Sequence, residues 1–138
     1  MCITLRDIAV VKPEWQTVHK IKALEINGRC PALAMLAEWA QDNKDDFKKL
    51  MKSIKLVCQN KRVINQKHVK KSSNPAHCGI YEIRADKGKP RLFFFYSNGA
   101  EEIVICTHGW DKKTSQREQN SEFDKCARFK QLYETQTI

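Results

Sequence analysis

Long apolar runs are missing from this chain. The most apolar candidate, Met1 to Val11, is broken by Arg6 and Asp7 and is too short and too charged to span a bilayer. Close cysteine pairs are missing too. Cys2, Cys30, Cys58, Cys78, Cys106 and Cys126 are scattered, and the nearest His/Cys combination, His77 beside Cys78, is not zinc spacing. With no export signal in view, a disulfide framework is not expected; free buried thiols in a soluble cytoplasmic protein are. There is no internal repeat and no low-complexity linker, so 138 residues leave room for one domain around one core. Acids are scarce relative to bases: Lys and Arg outnumber Asp and Glu by 25 to 16. Such an excess says little about fold but favours polyanionic partners, nucleic acid first and an acidic protein second.

Periodicity and turn chemistry place the elements. Within an N-terminal extension, residues 1–18, one strand is predicted at Ile8 to Val11, halted by Pro13. A second runs from His19 to Ile26 and ends at the turn pair Asn27 and Gly28. Pro31 suits a first helical turn, and Leu33, Leu36, Ala37 and Ala40 recur at helical spacing. Asn43 is placed to cap a second helix, with Asp45 and Asp46 in its first turn. Phe47, Leu50, Met51, Ile54, Val57 and Cys58 form its apolar stripe, and Lys48, Lys49, Lys52 and Lys55 lie mostly off it, as a solvated face would. Residues 61–77 read as basic loop.

Three strands follow at Ile80 to Ala85, Arg91 to Tyr96 and Glu102 to Thr107, joined by turns at Lys87 to Lys89 and at Asn98 and Gly99. Ser115 and Glu118 have capping-box spacing ahead of a last helix carrying Phe123, Cys126 and Ala127. The expected fold is α+β, one domain over residues 19–138, with a helical hairpin on a small antiparallel sheet and a C-terminal helix.

Alternation along the first of these strands sends Glu82 and Arg84 to one face and Tyr81, Ile83 and Ala85 to the other, which predicts one charged face and one packed face. By the same rule Arg91 shares a side with Phe93 and Phe95. His108 shares a side with Val104 and Cys106, at the end where its strand gives way to a loop carrying Lys112 and Lys113. A guanidinium grips phosphate through two coplanar hydrogen bonds. An imidazole accepts or donates a proton near neutrality. These groups without a metal cluster suit metal-free RNA cleavage, in which the 2′-hydroxyl attacks the adjacent phosphate. The same residues have plainer readings: a strand-face salt bridge for Glu82 and Arg84, a satisfied buried histidine for His108, and core for Phe93 to Tyr96.

The order and spacing of several pieces carry a family resemblance: Glu25 to Arg29 before the first helix, Gly79 to Arg84, Arg91 to Phe95, Ile103 to Trp110, and Lys112 to Thr114 ahead of the last helix. From about Lys22 to Tyr133 the chain resembles the RelE/HigB superfamily of type II toxins, close to its phage-derived Gp49-like branch. The resemblance implies a ribosome-dependent mRNA endoribonuclease, needing no cofactor or metal. It contacts mRNA and ribosomal RNA, and a co-encoded HigA-like antitoxin, bearing a helix-turn-helix, silences it. Carried over, Arg84 and Arg91 match strand cations that grip the scissile phosphate. His108 matches an acid, base or orienting position, and Lys112 and Lys113 match cations that follow it. Lys87, Lys89, Lys67, His68 and Trp110 are expected at the RNA, Trp110 by stacking on a base. Phe123 lies where some members carry a tyrosine, and Trp110 where phenylalanine is usual. A non-catalytic relative that binds nucleic acid or an antitoxin, and a basic protein of unrelated role, are the alternatives.

Overall fold

The computed structural model describes residues 2–8, 12, 14–15, 17–63, 67–72, 77, 79–97, 102–111 and 116–136. In chain order its elements are β1 (Ile3–Asp7), β2 (Lys20–Ile26), α1 (Pro31–Asp42), α2 (Lys44–Gln59), β3 (Val69–Lys71), β4 (Ile80–Arg84), β5 (Pro90–Tyr96), β6 (Ile103–Asp111) and α3 (Gln116–Gln136). One six-stranded sheet, ordered β1-β2-β6-β5-β4-β3, is antiparallel except where β2 runs parallel to β6. The fold is α+β, as its pattern of elements predicts.

Both faces of the sheet are covered. Leu36, Trp39, Leu50, Ile54 and Val57 of the α1–α2 hairpin pack on Ala23, Ile83, Leu92, Phe94, Val104 and Cys106. On the other face, Phe123 and Cys126 of α3 pack on Ile80 and Phe93. The central strand β5 is therefore buried from Pro90 through Phe95, with Phe94 in one core and Phe93 and Phe95 in the other. Fully burying each of these rings contributes about 1.5–3 kcal/mol.

The expectation of one open, charged sheet face is corrected: that face lies under α3, and Glu82 on it is completely buried. An unbroken apolar run such as Leu92 to Phe95 marks a strand covered on both sides, whereas alternation marks one side open to water.

Other boundaries differ from expectation. The N-terminal strand lies at Ile3–Asp7, paired with β2, while Ile8 enters the core beyond it; Ala9 to Val11 fall outside the described residues. The stretch read as loop over residues 61–77 contains β3, which pairs with β4. Asn43 flanks α2, but its side chain bonds Asp46 Oδ2 at 3.2 Å instead of capping a backbone N–H. The Asn98 and Gly99 turn and the Ser115 cap lie outside the described residues. Among the described residues five cysteines are free: Cys58, Cys106 and Cys126 are buried, Cys30 is half-buried and Cys2 is exposed.

The largest difference concerns β6, which continues to Asp111 and carries one extra residue opposite the Phe93–Phe94 junction. Phe94 faces Cys106 and Phe93 faces His108, leaving Thr107 as the bulge. Inserting one residue reverses the alternation beyond it. His108 is thereby carried off the side of Val104 and Cys106, where strict alternation puts it, onto the α3 side, where it stacks on Phe93. Gly109 then faces α1, so closely that a Cβ would sit 2.7 Å from Trp39 Cη2 and 2.8 Å from Met35 Cβ. Asp111, again on that side, accepts a hydrogen bond from Trp39 Nε1 at 2.7 Å.

Gly109→Ala forces the rigid, buried Trp39 ring or the α1 backbone to move. A loss of about 1–3 kcal/mol in urea denaturation, with altered tryptophan emission, is expected. Unchanged stability would mean that α1 does not sit directly on β6.

Candidate active site

On the face beneath α3 the strand register lays polar side chains out in two neighbouring rows. One row crosses the sheet as Lys70 on β3, Glu82 on β4, Phe93 on β5 and His108 on β6. The next row, two residues along each strand, holds Arg84, Arg91 and Trp110. Glu82 and His108 are two strand spacings apart, about 10 Å. The Phe93 ring fills the gap and lies parallel to the imidazole, with centroids 4.8 Å apart and planes 4° apart.

Glu82 is the centre of the polar cluster. Its Oε1 accepts from Gln119 Nε2 of α3 at 2.8 Å and lies 3.4 Å from Arg84 Nε and 3.7 Å from Arg91 Nε. Gln119 Oε1 in turn accepts from Lys70 Nζ at 3.1 Å. Burial pushes the Glu82 carboxyl above its ordinary range; Arg84, Arg91, Lys70 and the Gln119 bond pull it back without cancelling that. Arg91 is pushed down, first by its own burial and then by Arg84. Two buried atoms here, Glu82 Oε2 and Arg91 Nε, make no hydrogen bond. Unsatisfied buried polar atoms are uncommon, and here they sit together among charges.

His108 ends the row. Its Nε2 lies 2.9 Å from Glu122 Oε2 of α3, and its Nδ1 lies 2.9 Å from Thr107 Oγ1. The neutral ring fits these partners with Nε2–H donating to the carboxylate and Nδ1 accepting from the hydroxyl. Burial lowers the pKa of His108 against the pull of Glu122, and the histidine's hydrogen bond holds Glu122 below its usual range.

The arginine row opens on a cleft of about 510 Å³ lined by Lys67, Arg84, Arg91 and the Lys87–Lys89 turn. That turn is held from two sides. Arg91 donates to Gly88 O at 2.8 Å and Pro90 O at 3.0 Å, and Asp46 of α2 accepts from Lys89 N at 3.2 Å. Lys87 adopts a left-handed conformation (φ 60°), which favours glycine.

The structure thus brings Arg84, Arg91, Lys67, Lys87 and Lys89 to one cleft and puts Trp110 beside Arg91 across the strands. His68 is half-buried and bonded to Ser53 Oγ at 2.9 Å, and does not line the cleft. Lys112 and Lys113 lie outside the described residues. Sequence reasoning passed over Gln119 and Glu122; the strand-face salt bridge it gave Glu82 with Arg84 is present at 3.4 Å, but with the carboxylate fully buried. A signal existed: Gln119, Glu122, Phe123 and Cys126 fall on one helical face, so the two polar residues share the packed side of α3. A further tie joins α3 to the loop after β3, where buried His77 bonds Ser72 Oγ at 2.7 Å and Asp124 through its other nitrogen.

The family model for phage-derived Gp49-like proteins (DUF891) matches residues 36–130, from within α1 to within α3, and so spans both rows. Among curated proteins none matches the chain.

Because the folded-state pKa of His108 is depressed, the unfolded chain binds its proton first on acidification. Its contribution to stability is full above about pH 6.5 and lost as the pH falls below that. Glu122, also depressed, extends the loss at lower pH. Glu82, raised, acts oppositely: its contribution is full below about pH 4.5 and is lost as the pH rises through its folded value. Urea denaturation between about pH 5 and 7 should therefore show a shallower dependence in His108→Gln than in the wild type. Identical slopes would remove His108 as the source.

Proposed function

This chain belongs to the family of phage-derived Gp49-like proteins, and on that premise we propose that it is the toxin of a type II toxin–antitoxin pair within the RelE/HigB superfamily. Its reaction is metal-independent cleavage of mRNA held in the ribosome, which stops translation in the cytoplasm. A cognate antitoxin, HigA-like and with a helix-turn-helix, silences it.

One observation carries the chemical part of this reading: a carboxylate and an imidazole on either side of Phe93 in one cross-strand row, with a pair of arginines in the row beside them. In-line displacement at phosphorus needs a base on the attacking side, an acid on the leaving side and cations around the equatorial oxygens. Glu82, its carboxyl raised by burial, takes the proton from the 2′-hydroxyl as that oxygen bonds to phosphorus. The bond from phosphorus to O5′ breaks, and protonated His108 supplies the proton to O5′. The products are a 2′,3′-cyclic phosphate and a 5′-hydroxyl. Arg84 and Arg91 hold the non-bridging oxygens, and Lys67, Lys87 and Lys89 in the cleft take the flanking phosphates. Before RNA enters, Glu122 favours the protonated imidazole, although burial opposes it. RNA reaches the row from the cleft, and the first turns of α3 yield the bonds that Gln119 and Glu122 now make.

A second reading, an RNA- or antitoxin-binding protein without catalysis, rests on those same bonds. With α3 in place Glu82 and His108 are both buried, and only the arginine–lysine cleft meets solvent.

Primer extension on mRNA in a cell-free translation reaction separates the two. Wild-type protein is expected to create new 5′ ends within translated codons, and none on RNA without ribosomes. Glu82→Gln and His108→Gln are expected to slow cleavage by about 10²–10⁴-fold while still binding ribosomes. These near-isosteric changes are preferable to Arg91→Ala, which strands the buried Glu82 carboxylate with one fewer cation and risks unfolding. Intact mRNA with bound, folded wild-type protein would leave the binding reading.

A further inference from the structure

A second cavity, of about 520 Å³, lies between the end of β2, the Asn27–Gly28 turn and the C-terminal half of α3. It shares no lining residue with the cationic cleft. Its size falls in the range of about 300–1,000 Å³ usual for small-molecule sites, and its walls have their character: largely apolar, with a few polar groups to fix orientation. Leu24, Ile26, Phe129 and Leu132 supply apolar surface. The polar groups are few and unlike one another. Arg29, an exposed cation, has no acidic partner among the described residues, since Glu25, the one acid of β2, is taken by Arg6 and Thr4. Thr107, the bulge residue, lines the cavity, and its hydroxyl is 2.9 Å from His108 Nδ1.

An apolar wall with a single cation offers nothing to a nucleic-acid backbone, which needs cations in series. It fits a molecule with one acid group and an apolar body. We propose that this cavity is a binding site for a small organic acid. Its acid group pairs with Arg29, and its apolar body is buried against Leu24, Phe129 and Leu132. A bound molecule touches Thr107, one hydrogen bond from His108, so occupancy is read at the imidazole. The site stands whether or not the chain cleaves RNA.

Titration of the full chain with octanoate and with its neutral analogue octanamide, by calorimetry and by histidine-ring NMR, tests this. Octanoate is expected to bind saturably at one site, about tenfold tighter than octanamide, and to shift the His108 ring resonances. Arg29→Gln, an exposed change, should erase that preference and leave octanamide unaffected. Leu132→Trp, which fills the cavity from its half-exposed rim, should abolish binding of both with thermal unfolding unchanged. Absence of saturable binding overturns the proposal. So does equal affinity for the two compounds, or binding that survives Leu132→Trp or leaves the His108 resonances unmoved.

Discussion

The extra residue in β6 opposite the Phe93–Phe94 junction governs what the rest of the sheet presents. Before the bulge, Val104 and Cys106 face the helical hairpin; after it, Gly109 and Asp111 do, and Thr107 and His108 both lie on the α3 side. A uniform strand would have turned the imidazole into an apolar core and Gly109 away from α1. With the bulge, the imidazole meets Glu122, Trp39 gains Asp111 as a partner, and α1 comes down onto a strand with no side chain in its way. One unpaired residue thus sets the composition of the polar row and the seat of a helix.

Burial of Glu82 is the second constraint. A carboxylate without solvent is tolerated only among cations and donors, and Arg84, Arg91, Lys70 and Gln119 surround it. This ordering has a chemical consequence. The carboxyl sits above its ordinary range, where its conjugate base accepts a proton more readily, and the arginines beside it are already aimed at an anion. The contacts of α3 on this face mix apolar ones, Phe123 and Cys126, with polar ones, Gln119 and Glu122, made directly to the row. A helix held partly by bonds to Glu82 and His108 competes with any ligand that needs those groups.

Much of this was legible in the residues. Helical spacing in Phe47 to Cys58 gave α2 its buried side, and turn chemistry at Asn27 and Gly28 closed β2. The Phe93 to Phe95 run read correctly as core. The cations of the cleft were visible as residue types, because strand ends and hairpin turns put sequence neighbours close in space. β3 was not visible: three residues among lysines carry no period, and they become a strand only because β4 offers an unpaired edge. The depth of Glu82 was equally hidden, since a Glu–Arg pair two residues apart looks the same on an open face as on a covered one.

By itself, the sequence determined the apolar segments, their helical or strand period, the turns and the surplus of positive charge, all properties of residues within a few positions of each other. Tertiary structure alone decided which face of the sheet α3 would cover and which side of β6 His108 would take. Alternation fixes a side chain's direction only relative to its neighbours in an unbroken strand. A bulge is a property of two strands paired together, and burial is a property of what packs on them.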